Sequence, residues 1–159
     1  MAYRLGQMSV ERLDGVEPRL VRCVRRAIEI SDQDFSVFEG LRTLERQKEL
    51  FARGASRTLD SFHLPDSKSV GHAVDLVPFI GGRVQWQDVP CLVIARAMLF
   101  AAKELGLPVT WGGVWEKPLA ELDPDDLAGD IDRYVDSFRA HTGRAPLVDR
   151  PHFQVPRSP

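Results

Sequence analysis

Cysteine is scarce, long apolar runs are missing and neither sign of charge dominates, and each absence removes a class of protein. The two cysteines, Cys23 and Cys91, set no disulfide framework and belong to no C-x-x-C pair. Both fall in apolar helical patterns and read as buried thiols. No stretch reaches the roughly 18 consecutive apolar residues of a membrane span, so stable membrane insertion is not expected. Lys and Arg total 21 against 23 Asp and Glu, a net charge of -2. That balance lacks the basic excess of a phosphate-tracking surface, and nucleic acid is not expected as a partner. The densest basic cluster, Arg19, Arg22, Arg25 and Arg26, lies among Glu17 and Glu29 and reads as a solvated helix face. The opening MAYRLGQMSVERLDG has no apolar stretch of the kind a secretory leader carries, so synthesis in a cytoplasm is expected. Three catalytic signatures are also missing: the phosphate loop G-x-x-x-x-G-K-[ST], the nucleophile elbow G-x-S-x-G and the metallopeptidase helix H-E-x-x-H.

What is there suits one core. A chain of 159 residues that is 43% hydrophobic and 28% charged matches an ordinary globular protein, read as a single domain over 1–159 with residues 1–15 as an N-terminal arm. Pro18 opens a helix whose inner face is Leu20, Val21, Val24, Ala27 and Ile28. Phe35–Phe38 is a short strand ended by Gly40. Thr43 caps a helix over Leu44–Arg53, with Gly54 beyond it. The polar stretch 55–70 has no period and is a long loop, a kind of segment that often carries function. Gly71–Val77 alternates as a strand, with Ala73, Asp75 and Val77 on one face. Gly81-Gly82 turns the chain toward a return strand near Val84–Trp86. Asp88 and Pro90 start a central helix, Cys91–Leu105, closed by Gly106. Val109–Trp111 is a strand, and Gly112-Gly113 a tight feature. The stretch from Glu116 to Asp136 carries eight acids and two bases and reads as a solvated face. Within it a helix starts near Asp123-Pro124, with Ile131, Tyr134, Val135 and Phe138 as its apolar stripe. His152–Val155 is a last short strand. The sum is a small α+β fold.

Three of the four histidines stand outside the helices and near acids. His63 is in the long loop, His72 opens the Asp75 strand, and His152 follows Asp149 by three. Two imidazoles and a carboxylate gathered from separate elements make a catalytic zinc site with an open position for water; each histidine by itself reads equally as a surface or structural group. His141, beside Thr142-Gly143, fits the structural reading. Asp75, a carboxylate facing inward among apolar neighbours, is costly unless paired or bound to metal.

Four ordered blocks carry a resemblance. They are FSVFEGLRTLERQKELFARG at 35–54, Ser61-Phe62-His63 followed by Gly71-His72-Ala73-Val74-Asp75, Trp111-Gly112-Gly113, and Asp149-Arg-Pro-His152-Phe153. Together they resemble bacteriophage endolysins of the L-alanyl-D-glutamate peptidase type, which are related to zinc D-alanyl-D-alanine carboxypeptidases and dipeptidases. The implied fold is an antiparallel sheet packed with helices around a zinc cleft. The implied zinc ligands are His63, Asp75 and His152. Asp149 matches the catalytic carboxylate, Arg42 the residue that meets charge on the substrate, and Ser61 the serine of the signature.

The implied activity is hydrolysis of a stem-peptide bond of peptidoglycan, L-alanyl-D-glutamate first, with D-alanyl-D-alanine carboxypeptidase activity or a non-catalytic wall-binding module as the alternatives. The resemblance further implies a monomer made in the host cytoplasm that reaches the wall through a holin-like membrane partner. Two features depart from the pattern. Leu64–Val70 places seven residues where the family has two, which leaves His72 as the alternative to His63. Val114 stands where related endolysins often have Asp.

Overall fold

The order of elements follows local sequence closely at the helices and less closely at the edges of the sheet. The structure, a computed structural model, describes residues 2–157. Among them the chain forms α1 (Gln7–Arg12), α2 (Pro18–Ile30), β1 (Phe35–Glu39), α3 (Leu44–Ala52), β2 (Ala73–Ile80) and β3 (Arg83–Val84). These are followed by α4 (Asp88–Leu105), β4 (Thr110–Trp111), β5 (Val114–Pro118), a 3-10 turn (Leu119–Glu121), α5 (Leu127–Thr142) and β6 (His152–Gln154).

The strands make one antiparallel sheet in the order β1-β2-β6-β4-β5, with β3 paired to the far end of β2. The last strand in sequence thus sits in the middle of the sheet. Its alternation decides which residues go where. Val74 and Trp111 flank Phe153 on the core side, whereas Asp75 lies directly across from His152 on the other face. The core side packs against α2 and α4. Leu20, Val24 and Ala27 of α2 meet Ile94, Ala95, Met98 and Ala101 of α4, all buried. Cys23 and Cys91 belong to this layer as the sequence suggests. Burial pushes their thiols up to about 12 and about 11, so neither is a reactive thiolate.

The helix ends show the expected capping chemistry. Glu17 accepts from Leu20 N at the start of α2, with Pro18 in its first turn. Thr43 accepts from Arg46 N at the start of α3, and Gly106 closes α4 in the left-handed region at φ 61. The start of α5 falls among the acids that follow Asp123-Pro124: Asp126 is its cap and accepts from Gly129 N. The return strand is Arg83–Val84 rather than Val84–Trp86.

The larger difference is at the N-terminus. Residues 7–12 of the segment read as an arm form α1, which lies along the open edge of β1. There Ser9 Oγ accepts from Val37 N at 3.0 Å, and Arg12 donates to Val37 O at 2.9 Å. Side chains of α1 thereby occupy the edge groups of β1 that no neighbouring strand takes. The approach is so close that a Cβ on Gly40 would lie 2.1 Å from Arg12 O. Six residues span fewer than two helical turns, too few to show a hydrophobic period.

Candidate metal centre

The sheet brings two of the three motif histidines to one carboxylate. Asp75 of β2 and His152 of β6 are cross-strand partners, and the loop between α3 and β2 delivers His63 from above. The three inward atoms form a small triangle. His63 Nε2 lies 3.3 Å from Asp75 Oδ1 and 3.3 Å from His152 Nδ1, and His152 Nδ1 lies 3.1 Å from the same Asp75 oxygen.

The outer nitrogen of each imidazole is already committed. His63 Nδ1 is 2.8 Å from Gly40 O, and a carbonyl only accepts, so Nδ1 carries the proton. His152 Nε2 is 2.9 Å from Gln154 Oε1, an oxygen able to accept a proton carried on Nε2. In the neutral rings, the form that binds a metal, both inward nitrogens then present lone pairs to each other and to a carboxylate oxygen. Three acceptors so arranged call for a cation at their centre. Ligand atoms about 2.0–2.1 Å from a tetrahedral zinc stand about 3.3 Å apart, and the observed edges fit that spacing. The backing of each ring by an acceptor is the usual outer support of metal-bound histidine.

His72 is not part of this group. Its Nε2 is 2.8 Å from Asp66 Oδ2, within the seven-residue insertion. The insertion bulges away from the centre because its neck is closed: His72 N donates to Phe62 O at 2.7 Å, and Arg42 N to His63 O at 2.8 Å. Asp66 also accepts from Lys68 N and Val70 N, folding the extra residues onto themselves. The longer spacer thus leaves His63 in register with Asp75. His141, exposed on α5, bonds only its own helix at Ser137 O.

Asp149 stands beside the triangle on the turn that leads into β6. Trp111-Gly112 holds this turn: Asp149 N donates to Gly112 O, Gly112 N to His152 O, and the Trp111 indole to Arg150 O. A Cβ on Gly112 would lie 2.1 Å from Asp149 O, so only glycine allows this contact. Val114, the departure next to this element, is buried in the core and pairs with Trp111.

The two carboxyls differ in character. Burial pushes Asp75 up, but the adjoining His152 and His63 rings outweigh it and hold the group well below the usual carboxylate range. Burial and the negative charge of Asp75 push Asp149 above its ordinary value, against the pull of His152, His63 and Arg42. For His152, burial opposes the charged form, yet the bond to Asp75 and the nearby Gln154 and Asp149 hold the imidazole above its usual range. The two carboxyls are thus pushed in opposite directions by their surroundings.

Arg42 is buried and almost fully engaged. Its Nε and one terminal nitrogen grip Glu39 at 2.8 and 2.7 Å, and the other terminal nitrogen donates to Gln47 at 2.7 Å and Ser61 Oγ at 3.4 Å. It also stands 3.9 Å from Asp75 Oδ2. The Ser61 hydroxyl oxygen accepts from Arg42 and from the backbone N of His63. Glu39, Gln47 and Gln154 are the site residues that sequence reasoning missed. Gln154 had a signal, since it shares a strand face with His152 two residues away; Glu39 and Gln47 had none beyond nearness to Arg42.

All of these groups except Gln47 line one open cleft of about 620 Å³, which Trp115, Leu147 and the exposed Arg46 and Arg57 line as well. An antiparallel sheet that converges two imidazoles and a carboxylate, with a second buried carboxyl beside them in an open cleft, has the parts of a hydrolytic centre. Comparison with known proteins gives the kind of hydrolase. The phage L-alanyl-D-glutamate peptidase family matches residues 1–132. The L-alanyl-D-glutamate peptidase of Escherichia phage T5 is 33% identical over 117 residues, covering 72% of this chain and 83% of that protein. That of Listeria phage A118 is 35% identical over 79 residues, 50% of this chain and 25% of the longer relative. The crystal structure of the Serratia marcescens L-Ala D-Glu endopeptidase ChiX superposes with a TM-score of 0.71 at 36% identity, over 98% of this chain and 91% of its own. The chain belongs to the phage L-alanyl-D-glutamate peptidase family. The family match stops short of Asp149 and His152, whereas the structural likeness to ChiX extends over nearly the whole chain.

Proposed function

We propose that this chain is a zinc-dependent endolysin that hydrolyses the L-alanyl-D-glutamate bond of the peptidoglycan stem peptide, with residues 1–159 acting as one catalytic unit. The observation that carries the zinc assignment is the triangle of His63 Nε2, Asp75 Oδ1 and His152 Nδ1, with edges of 3.1–3.3 Å and both outer ring nitrogens already bonded. Bound there, zinc supplies Lewis-acid polarisation of the scissile carbonyl and a lowered pKa for water. Asp149, unligated and raised in pKa, takes a proton from the attacking water and returns it to the leaving amine.

Arg42 acts as a fixed positive charge behind the centre rather than as a mobile clamp, because Glu39, Gln47 and Ser61 hold its guanidinium. Its charge favours the anionic character that develops at the carbonyl oxygen. Ser61 positions both Arg42 and the His63 backbone. The exposed Arg46 and Arg57 on the cleft wall complement the free carboxylates of an acidic stem peptide. The enzyme works as a monomer, is made in the host cytoplasm and meets the wall once a separate holin-like protein has opened the membrane, lysing the host.

Digestion of purified peptidoglycan with and without a chelator, followed by mass analysis of the fragments, tests this reading. New D-glutamate amino termini that vanish with the chelator and return with zinc are the expected result. Release of free D-alanine instead would assign a carboxypeptidase, and binding to the wall without new amine termini would assign a non-catalytic module.

A further inference from the structure

The cleft has an aromatic rim that the hydrolytic groups do not use. In the β1–β2 ladder Val37 pairs with Leu76 and Glu39 with Asp75, and the register shifts between them, so Phe38 is the extra residue of a β-bulge. Bulges re-aim a side chain, and this one turns Phe38 outward. It is 42% exposed and lines the cleft. Its ring meets Trp86 edge to face, with centroids 4.9 Å apart and planes at 79°. Trp86 is 59% exposed, and Gln85 and Gln87 flank it. The pair is therefore a wet aromatic step, with an amide residue on each side of Trp86 in the sequence, beside the centre yet outside the hydrogen-bond network around it.

Such a surface has the chemistry of a sugar subsite. A pyranose ring offers an apolar C–H face that stacks on an indole, and a rim of hydroxyl and acetamido groups that amides can bind. The location fits as well. In peptidoglycan the first stem residue, L-alanine, hangs from an N-acetylated amino sugar through a lactyl group. With the bond after that alanine at the Asp75 centre, the sugar lies only one or two residue lengths away, and Phe38 is within about 9 Å of Asp75 by strand geometry. We infer that Phe38 and Trp86 form a rim subsite for the N-acetylated amino sugar that carries the stem peptide. This inference rests on the peptidase reading of the cleft.

Two measurements test it. The first compares kcat/KM for the free stem tetrapeptide with that for the same tetrapeptide attached to its disaccharide. The wild-type enzyme should favour the sugar-bearing substrate by about tenfold, Trp86→Ala should bring the ratio close to one, and Trp86→Phe should retain part of the preference. The second titrates peptide-free glycan strands of the wall into the Asp149→Ala protein and follows binding by isothermal titration calorimetry. Binding should occur and should be lost on adding Trp86→Ala. Absence of a sugar preference in an active wild-type enzyme, or an equal loss on both substrates in Trp86→Ala, overturns the subsite and leaves the peptidase reading intact. If neither substrate is cleaved but Trp86-dependent glycan binding is seen, the subsite stands and the peptidase reading fails. Glycan binding that Trp86→Ala leaves unchanged also overturns the subsite.

Discussion

The molecule sets histidine against aspartate in two places, with contacts of similar length. At the centre, Asp75 Oδ1 is 3.1 Å from His152 and 3.3 Å from His63. In the inserted loop, Asp66 Oδ2 is 2.8 Å from His72. What separates them is the rest of each side chain. Gly40 O and Gln154 occupy the outer ring nitrogens of His63 and His152, leaving lone pairs that converge on one point. Around His72, among the described residues, there is one carboxylate and no third ligand, and its Nδ1 is buried with no partner among them. Asp66 turns its other oxygen to the backbone of Lys68 and Val70. The first arrangement stores a place for a cation, and the second locks a loop. Shared residue types and distances do not distinguish a metal site from a structural pair; the protons committed behind the rings do.

Substitutions should break this contrast in a definite order. His152→Ala removes a ligand at the sheet centre, so zinc measured by atomic absorption should be lost and hydrolysis should fall below detection. Retained zinc with near-normal turnover would remove His152 from the centre. Asp149→Ala should lower kcat by about 10²–10⁴-fold, the usual range for a positioned acid–base group, while the zinc content stays that of the wild type. Loss of zinc in this variant would make Asp149 a ligand.

Gln154→Leu sharpens the argument about outer protons. It leaves all three ligands in place, and chelator competition should show zinc affinity about 10–100-fold weaker. An unchanged affinity would mean that His152 needs no partner at Nε2.

The smallest effect belongs to the loop pair. Asp66→Asn should keep zinc and turnover and lower the melting temperature by a few degrees. Its pH dependence has a definite sign. The hydrogen bond from His72, with those from Val70 and Lys68, holds the Asp66 carboxyl down at about 2, against about 3.9 in an unfolded chain. A carboxyl depressed by folding stabilises above the unfolded value, and that contribution is lost as pH falls from about 4 to about 2. Melting curves across that window should therefore drop more steeply for the wild type than for Asp66→Asn. Parallel curves would show that the pair does not lock the loop, and loss of zinc in Asp66→Asn would tie His72 to the centre after all.

Much of this was written locally. Pro18 and the three- and four-residue spacing after it specify α2, Thr43 specifies the start of α3, and the apolar run with Gly106 specifies the end of α4. Strand alternation around Asp75 sets which face it shares, and the ordered blocks from Arg42 to His152 name the residues gathered in the cleft. These are readable because period, capping and turn chemistry act over a few residues.

The choice between His63 and His72 was not readable, since it depends on whether seven extra residues bulge outward, and that is decided by the His72–Phe62 backbone bond at the neck. Nor was the central place of β6, which pairs His152 with a carboxylate 77 positions earlier and a ring 89 positions earlier. The docking of α1 on β1, and the grip of Glu39 and Gln47 on Arg42, belong to the same category. Which donors the protein has, and which local elements carry them, is a matter of residue order. Which lone pairs meet is a matter of the folded chain, because that depends on sheet order and on hydrogen bonds between residues far apart in the chain.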